Sequence, residues 1–168
     1  QSSYQILVTI HREENTSSKL KMLNIVKNLN KLSAEYNILF PIHPRTKKIM
    51  KKFNIFNMIN KKIKISKPLS YGETLYHLKQ SKVLITDSGG MQKEAMYMRT
   101  QTLTIRDETE WMETINAGWN RLVKSKSYLI YKHVKKHIKL KGKNTSPYGY
   151  GKTALQIVNK LKSIYILR

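Results

Sequence analysis

Short apolar runs rich in isoleucine and valine alternate along this chain with longer segments whose apolar residues recur every three or four positions. The short runs predict β-strands at residues 5–10, 37–42, 62–66, 82–86, 102–105 and 121–123. The longer segments predict α-helices at residues 17–36, 44–53, 73–80, 91–98, 128–138 and 152–165, with a short helix ending at 117. Because strands and helices alternate throughout, we expect an α/β fold with a Rossmann-like parallel sheet and helices on both faces.

Composition limits the classes of function. The net charge is +22, from 32 Lys and Arg against 10 Asp and Glu, which raises the question of nucleic-acid binding. The lysines are spread along the whole chain without an arginine-rich tract, which argues against a nucleic-acid partner. The chain has no cysteine and no apolar run long enough to cross a bilayer. We therefore expect a cytoplasmic protein without a membrane partner, and the start at Gln1 suggests a truncated chain.

The acidic residues are scarce and clustered. Eight of the ten fall in three places, namely Glu13 and Glu14; Asp87 and Glu94; and Asp107, Glu108, Glu110 and Glu113. This clustering suggests specific roles for these carboxylates, although favourable charge at helix N-termini would explain some of them.

A glycine pair stands between a predicted strand and a predicted helix, in the stretch Thr-Asp-Ser-Gly-Gly-Met-Gln-Lys-Glu-Ala at residues 86–95. Ser88 lies at the N-cap position, and Gly89 and Gly90 let backbone N–H groups approach a ligand closely. A helix start of this kind binds anions well, and Glu94 lies about one turn further along. The alternative is an ordinary strand–turn–helix corner in which Ser88 only caps the helix.

Polar clusters follow the predicted strands at their carboxyl ends. They are His11-Arg12, His43-Pro44-Arg45, Ser70-Tyr71, Asp87-Ser88 and Asp107-Glu108. In open α/β sheets ligands bind at this edge, so we expect the functional site there.

Five motifs together resemble the non-hydrolysing UDP-N-acetylglucosamine 2-epimerases. They read LVTIHREEN, FPIHPRT, LITDSGGMQKEA, RDETEWMET and PYGYGKTA, and they follow the order and spacing of that family's C-terminal half over nearly the whole chain. The resemblance implies the second of two Rossmann-like domains of a GT-B fold, with the nucleotide-sugar in the cleft between them. Residues 1–168 would then form a single UDP-binding domain, and the N-terminal catalytic half would be absent.

The resemblance also assigns roles to individual residues. Ser88, Gly89 and Gly90 would hold the UDP diphosphate, and Glu94 the ribose hydroxyls. His11 would lie at the reaction centre with Arg12 beside it as a substrate-binding residue. His43 would lie near the cleft, where some bacterial members bind a second, activating UDP-sugar. The loop at residues 68–74 would lie near uracil, and neither a metal nor another cofactor is implied.

The implied reaction interconverts UDP-GlcNAc and UDP-ManNAc by eliminating UDP and adding it back. The family's catalytic carboxylates come mainly from the N-terminal domain, so activity would need that domain or a partner chain, and a homodimer is also compatible with the family. Two other functions stay open: a non-catalytic binding or scaffold module, and a basic nucleic-acid-binding protein.

Several residues have a structural alternative. His11 could be a strand-end histidine bonded to a carbonyl, His43 could orient the turn before Pro44, and Asp87 could brace the Gly-Gly loop. We expect Glu108 and Glu110 to cap the helix after the fifth strand. We expect three further histidines to lie on the surface: His77, His133 and His137.

The sequence departs from the family at four places. These are Lys93 in place of Glu, Tyr150 in place of Asp, Trp111 in place of Arg, and Arg99-Thr100-Gln101 in place of a Gly-x-Pro turn.

Two surface features are also expected. One is a positively charged groove with the Ser88–Gly90 turn at its floor and Glu94 on its wall. The other is an apolar face on the last helix, formed by Leu155, Val158 and Leu161.

Overall fold

The computed structural model describes residues 4–124 and 129–166, and a six-stranded parallel sheet lies at the centre of the molecule. In chain order the strands are β1 Ile6–Thr9, β2 Ile38–Pro41, β3 Lys64–Ser66, β4 Val83–Thr86, β5 Gln101–Thr104 and β6 Asn120–Leu122. Across the sheet the order is β3-β2-β1-β4-β5-β6, and every neighbouring pair is parallel. The chain reverses its direction of travel across the sheet between β1 and β4, which is where such sheets bind ligands.

Helices connect the strands. They are α1 Glu13–Thr16, α2 Lys19–Leu32, α3 Pro44–Lys52, α4 Tyr71–Gln80, α5 Gly89–Met98, α6 Met112–Asn116, α7 Ile130–His137 and α8 Thr153–Ile166. A single turn of 3₁₀ helix covers Phe56–Met58. Helix α4 begins two residues earlier than its predicted start because Ser70 and Glu73 form a capping box. The predicted helix at 128–138 is present from Ile130, and Tyr128 lies outside the described residues.

Both faces of the sheet are covered, which confirms the predicted fold class. Successive residues of a strand point to opposite faces, so Ile6 and Val8 belong to one core cluster and Leu7 to another. The first cluster also contains buried residues of α2, α3 and α7, and the second contains buried residues of α4 and α5.

The register of the central strands fixes where their connecting loops emerge. Thr9 of β1 is level with Thr86 of β4, and Thr86 is level with Thr104 of β5. The hydroxyl oxygens of Thr9 and Thr86 are 2.7 Å apart. The segments that follow these three strands therefore leave the sheet side by side at one edge.

One expected surface residue is buried. His137 is only 4% exposed, its Nδ1 lies 2.8 Å from the backbone oxygen of His133, and its Nε2 accepts a hydrogen bond from Nε of Arg121. The prediction was wrong because His137 continues the buried stripe of α7 formed by Ile130 and Val134, at the spacing i, i+4, i+7. His77 and His133 are half-buried.

Helix α8 is exposed along its length as far as Tyr165. Leu155, Val158 and Leu161 are 58%, 45% and 51% exposed, so the predicted apolar face is present and open to solvent. Among the described residues, no helix combines the length and apolar character needed to traverse a bilayer.

Candidate functional site

A buried carboxylate organises the loop that follows β1. Asp87 is fully buried, and its oxygens accept hydrogen bonds from the backbone N–H groups of His11 and Arg12 at 3.0–3.1 Å and from Nδ2 of Asn15 at 3.1 Å. Nδ1 of His11 lies 3.4 Å from Oδ1 of Asp87. Asp87 is thus a brace, but it braces the loop that carries His11 rather than the Gly-Gly loop.

Asn15 extends this network to the next strand. Its Nδ2 also donates to the backbone oxygen of Ile105, directly after β5. The side chain is fully buried, which is unusual for an asparagine without a structural role. Sequence analysis assigns no role to Asn15, which appears there only as the last residue of the LVTIHREEN motif.

Within residues 4–124 and 129–166, the hydroxyl of Ser88 in the turn after β4 makes no hydrogen bond. Ser88 occupies the N-cap position of α5 with extended backbone angles, yet its side chain makes no capping hydrogen bond, and its N–H donates to Oγ1 of Thr86 at 2.9 Å. The alternative in which Ser88 is a simple helix cap is therefore wrong. The first-turn amides of α5 have no acceptors within the helix and are suited to an anion.

The two glycines of this turn differ. A Cβ at Gly89 would lie 2.6 Å from Oε1 of Glu110 and 3.2 Å from Nε1 of Trp111, so only glycine fits there without a shift. A Cβ at Gly90 would meet nothing within 4 Å. A side chain at Gly89 would have to displace the carboxylate of Glu110, whereas Gly90 leaves the surface of the helix start open.

A cavity of about 400 Å³ lies at the carboxyl edge of the sheet, between the loops that follow β1, β2, β3 and β4. We call it the carboxyl-edge cavity, and its lining residues are Leu7, Thr9, His11, Pro41, His43, Pro68, Leu69, Thr74, Ser88 and Met91. It brings together three of the sequence-predicted site residues, His11, His43 and Ser88, and it includes both ends of the predicted base-binding loop at 68–74.

Four other predicted site residues do not line this cavity: Arg12, Gly89, Gly90 and Glu94. A guanidinium nitrogen of Arg12 lies 3.6 Å from the position of a Cβ on Gly89, on the side of Glu110 and Trp111. Glu94 is half-buried on α5, and within residues 4–124 and 129–166 its carboxylate has no hydrogen bond or ion pair. Glu94 is therefore not on the cavity wall, where the predicted groove placed it.

The cavity is also less basic than the predicted groove. Among the described residues that line it, only His11 and His43 are ionisable, and most of the others are apolar. Arg45 is directed elsewhere, with Nη2 3.5 Å from a carboxylate oxygen of Glu13. Nδ1 of His43 accepts a hydrogen bond from the N–H of Arg45, so the expected turn-orienting role of His43 is present together with its place on the cavity.

Two of the clustered carboxylates, Glu14 and Glu110, lie close to Arg106. Nη1 of Arg106 donates to Glu110 at 2.8 Å, and its Nε lies 4.0 Å from Glu14. Glu14 also accepts the N–H of Asp107 at 3.3 Å. The pKa of Glu110 is lowered by its own backbone N–H and by Arg106. The expected capping role of Glu108 and Glu110 is wrong, since Trp111 occupies the N-cap position of α6 and no side-chain capping hydrogen bond is present there.

An aromatic cluster lies beside the start of α5. Nζ of Lys93 lies 3.7 Å from the ring centroid of Trp111, and this ring meets Tyr148 edge-on at 5.8 Å. The hydroxyl of Tyr148 donates to Glu113 at 3.0 Å. The pKa of Tyr148 is raised, mainly because the hydroxyl is desolvated and also because it donates to this carboxylate. Two of the family departures, Lys93 and Trp111, thus contact each other.

Comparisons with known proteins agree on one family. The family profile described as UDP-N-acetylglucosamine 2-epimerase matches residues 1–162. A UDP-N-acetylglucosamine 2-epimerase of Methanocaldococcus jannaschii is 40% identical over 159 residues, which cover 92% of this chain and 43% of the relative. A homolog of that enzyme from Methanococcus maripaludis is 35% identical over 161 residues, which cover 95% of this chain and 44% of the relative.

The fold agrees as well. The crystal structure of the M. jannaschii enzyme in complex with UDP-GlcNAc and UDP superposes with a TM-score of 0.86 at 39% identity, covering 94% of this chain and 45% of that one. The chain thus spans less than half the length of these relatives. The profile match over nearly all of its residues places this chain in the UDP-N-acetylglucosamine 2-epimerase family.

Proposed function

We propose that this chain is the UDP-sugar-binding part of a UDP-N-acetylglucosamine 2-epimerase, and that residues 1–168 form a single nucleotide-binding domain. In this proposal the protein interconverts UDP-GlcNAc and UDP-ManNAc by eliminating and re-adding UDP, together with an N-terminal domain or partner chain. The observation that carries the proposal is that His11, His43 and Ser88 line one cavity at the β1/β4 reversal point.

The start of α5 is the proposed diphosphate site. Ser88 lines the cavity with a hydroxyl that is not used for capping, and the amides that follow it belong to the first helical turn. Gly90 has open space around its Cα, so a phosphate can approach the backbone closely. Elimination leaves negative charge on UDP, and fixed N–H donors aimed at that charge stabilise it.

His11 is the proposed residue at the reaction centre. Its Nδ1 lies next to the carboxylate of Asp87, while Nε2 makes no hydrogen bond among the described residues. The ring therefore has one nitrogen held by the protein and one available to a ligand in the cavity. This arrangement suits a proton donor, a proton acceptor or a hydrogen bond to the departing phosphate.

The nucleoside is proposed to occupy the apolar part of the cavity. Pro68, Leu69 and Met91 offer flat and apolar surface to a base. Glu94 lies outside the cavity lining, about one turn along α5 from Met91, and is half-buried and unpaired among the described residues. Its proposed role is therefore to bind ribose hydroxyls at the edge of the cavity.

Calorimetric titration with UDP tests the binding part of the proposal. The chain should bind UDP weakly, and Ser88→Ala should reduce the affinity by about 1 kcal/mol for one lost hydrogen bond, or about twice that for a charge-assisted one. Glu94→Gln should reduce UDP affinity more than pyrophosphate affinity, because it acts at the nucleoside end. Ser163→Ala on the exposed helix α8 is the matched control and should bind like the unaltered chain. No heat of binding at millimolar UDP would refute the nucleotide site.

The catalytic part is tested by turnover. The chain alone should leave UDP-GlcNAc unchanged, and addition of the N-terminal half of a relative should produce UDP-ManNAc in a reaction that requires His11. UDP binding without any restored turnover would instead support the non-catalytic binding module.

A further inference from the structure

A second cavity, of about 370 Å³, lies at the amino edge of the sheet, opposite the carboxyl-edge cavity. It is formed by residues just before β4, β5 and β6, together with the segment after α7. We call it the amino-edge pocket, and four cations line it: Lys82, Arg99, Lys139 and Lys141.

The positive charge of this pocket is not compensated by carboxylates. No acidic residue lines it, and none of the four cations forms an ion pair with a carboxylate within the two stretches that the structure describes, 4–124 and 129–166. The C-termini of α4, α5 and α7 point to the same edge and supply roughly half a negative charge each. These dipoles offset less than half of four positive charges, so an excess of positive charge remains.

The pocket is built on a fixed floor. Trp119 and Gln101 line it and are each 4% exposed. Nε1 of Trp119 donates to the carbonyl of Lys143 at 2.9 Å, and the N–H of Lys143 donates to the carbonyl of Ala117 at 2.7 Å. A Cβ on Gly142 would lie 2.6 Å from the Trp119 ring, so the segment packs flat against the indole. The backbone beside Lys141 is therefore held in place before any ligand arrives.

Arg99 has an unusual backbone for a cationic residue. It closes α5 in the left-handed region, with φ 58° and ψ 37°, a position that favours glycine. The guanidinium group donates to the side chain of Asn144, which limits its motion. A cation thus occupies a position where the backbone alone would select glycine.

We propose that the amino-edge pocket binds a phosphate-bearing ligand. Lys82, Arg99, Lys139 and Lys141 neutralise the phosphate groups, while Trp119 contacts the organic part. The volume is in the range of small-ligand sites. This site lies at the opposite edge of the sheet from the proposed UDP site, so either proposal can fail without the other.

Amide NMR titration of the whole chain with inorganic pyrophosphate tests the proposal, because the two sites report on different resonances. The indole N–H of Trp119 and the amide of Gln101 should shift and saturate, and the amides of Ser88 to Gly90 report separately on the carboxyl-edge cavity. Arg99→Gly should weaken the Trp119 response roughly tenfold or more, as expected for a lost charge-assisted bond. The midpoint of thermal unfolding of the Arg99→Gly variant should not fall, since glycine readily adopts the left-handed backbone conformation at this position.

A matched pair of lysine variants separates a specific site from general attraction by a chain of charge +22. Lys82→Gln should weaken the Trp119 response, and Lys61→Gln, which removes one exposed charge elsewhere, should not. An unshifted Trp119 resonance, or equal effects of both variants, would overturn the proposal. So would a Trp119 response to duplex DNA but not to pyrophosphate.

Sedimentation with phosphatidylglycerol vesicles distinguishes the two sources of such a phosphate. Vesicle binding that Arg99→Gly abolishes would assign the ligand to a lipid headgroup. Saturable pyrophosphate binding without vesicle binding would assign it to a soluble organic phosphate.

Discussion

Asp87 is the residue on which the geometry of the carboxyl-edge cavity depends most. It is fully buried, and its carboxylate accepts hydrogen bonds from His11, Arg12 and Asn15, which lie more than 70 positions away in sequence. The carboxylate at the end of β4 thus determines where His11 lies. In this way the residue before Ser88 links the proposed diphosphate site to the proposed reaction centre.

Asp87→Asn tests this role. The amide has one acceptor oxygen instead of two, and its NH₂ group would face the N–H groups of His11 and Arg12. We expect a loss of about 1–3 kcal/mol in the free energy of unfolding, measured by urea denaturation. Asp107→Asn, on an exposed carboxylate, is the matched control and should change little. Equal stability of the two variants would contradict the bracing role of Asp87.

The two glycines of the α5 turn should respond in opposite ways to alanine. Gly90→Ala places a methyl group in open space in a helix, so stability should rise by about 0.5 kcal/mol. UDP affinity should nevertheless fall roughly tenfold, because the methyl group occupies the path of the phosphate. Gly89→Ala should lower stability by less than about 1 kcal/mol, because the Cβ would displace only the flexible carboxylate end of Glu110. Unchanged UDP affinity of Gly90→Ala, measured by calorimetry, would place the diphosphate elsewhere.

At the scale of elements, the strands were predictable because their period and β-branched content are local properties. Each observed strand lies within one or two residues of its predicted range. The shared edge of His11, His43 and Ser88 was predictable too, since parallel strands end together. The contact between Arg106 and Glu14 was not, because these two residues come from separate segments that only the folded sheet brings together.

Helix α7 illustrates a second limit of local patterns. The N–H of Tyr131, at its first turn, donates to Oδ1 of Asn28 on α2 at 3.0 Å. Asn28 is 8% exposed and also donates to the carbonyl of Asn24. The donor at the helix start is thus satisfied by another helix, which no local capping pattern in the sequence shows.

Asn28→Ala should therefore weaken the attachment of α7. The loss of a buried cap-like acceptor should cost about 1–2 kcal/mol of unfolding free energy, measured in urea, with the largest increase in amide exchange within α7. Asn57→Ala, at an exposed asparagine, removes the same group without this contact and is the control. Faster exchange spread evenly over the chain would contradict a local role.

At the scale of the whole molecule, the few carboxylates are used within the carboxyl-edge loops. Asp87 holds the β1 loop, while Glu13, Glu14 and Glu110 pair with Arg45 and Arg106. Arg45 and Arg106 are thereby partly neutralised, whereas lysine and arginine side chains without a carboxylate partner among the described residues line the pocket at the amino edge. The sheet thus separates a mostly apolar cavity on one edge from a strongly basic pocket on the other.

The most direct test of the central claim is a UDP titration of this chain followed by backbone amide NMR. We predict saturable shifts at Ser88, Gly89 and Gly90, at His11 and at Leu69, which together trace the carboxyl-edge cavity from the diphosphate to the base. Saturable shifts confined to other residues, or the absence of saturation at millimolar UDP, would contradict the assignment of this cavity to the nucleotide.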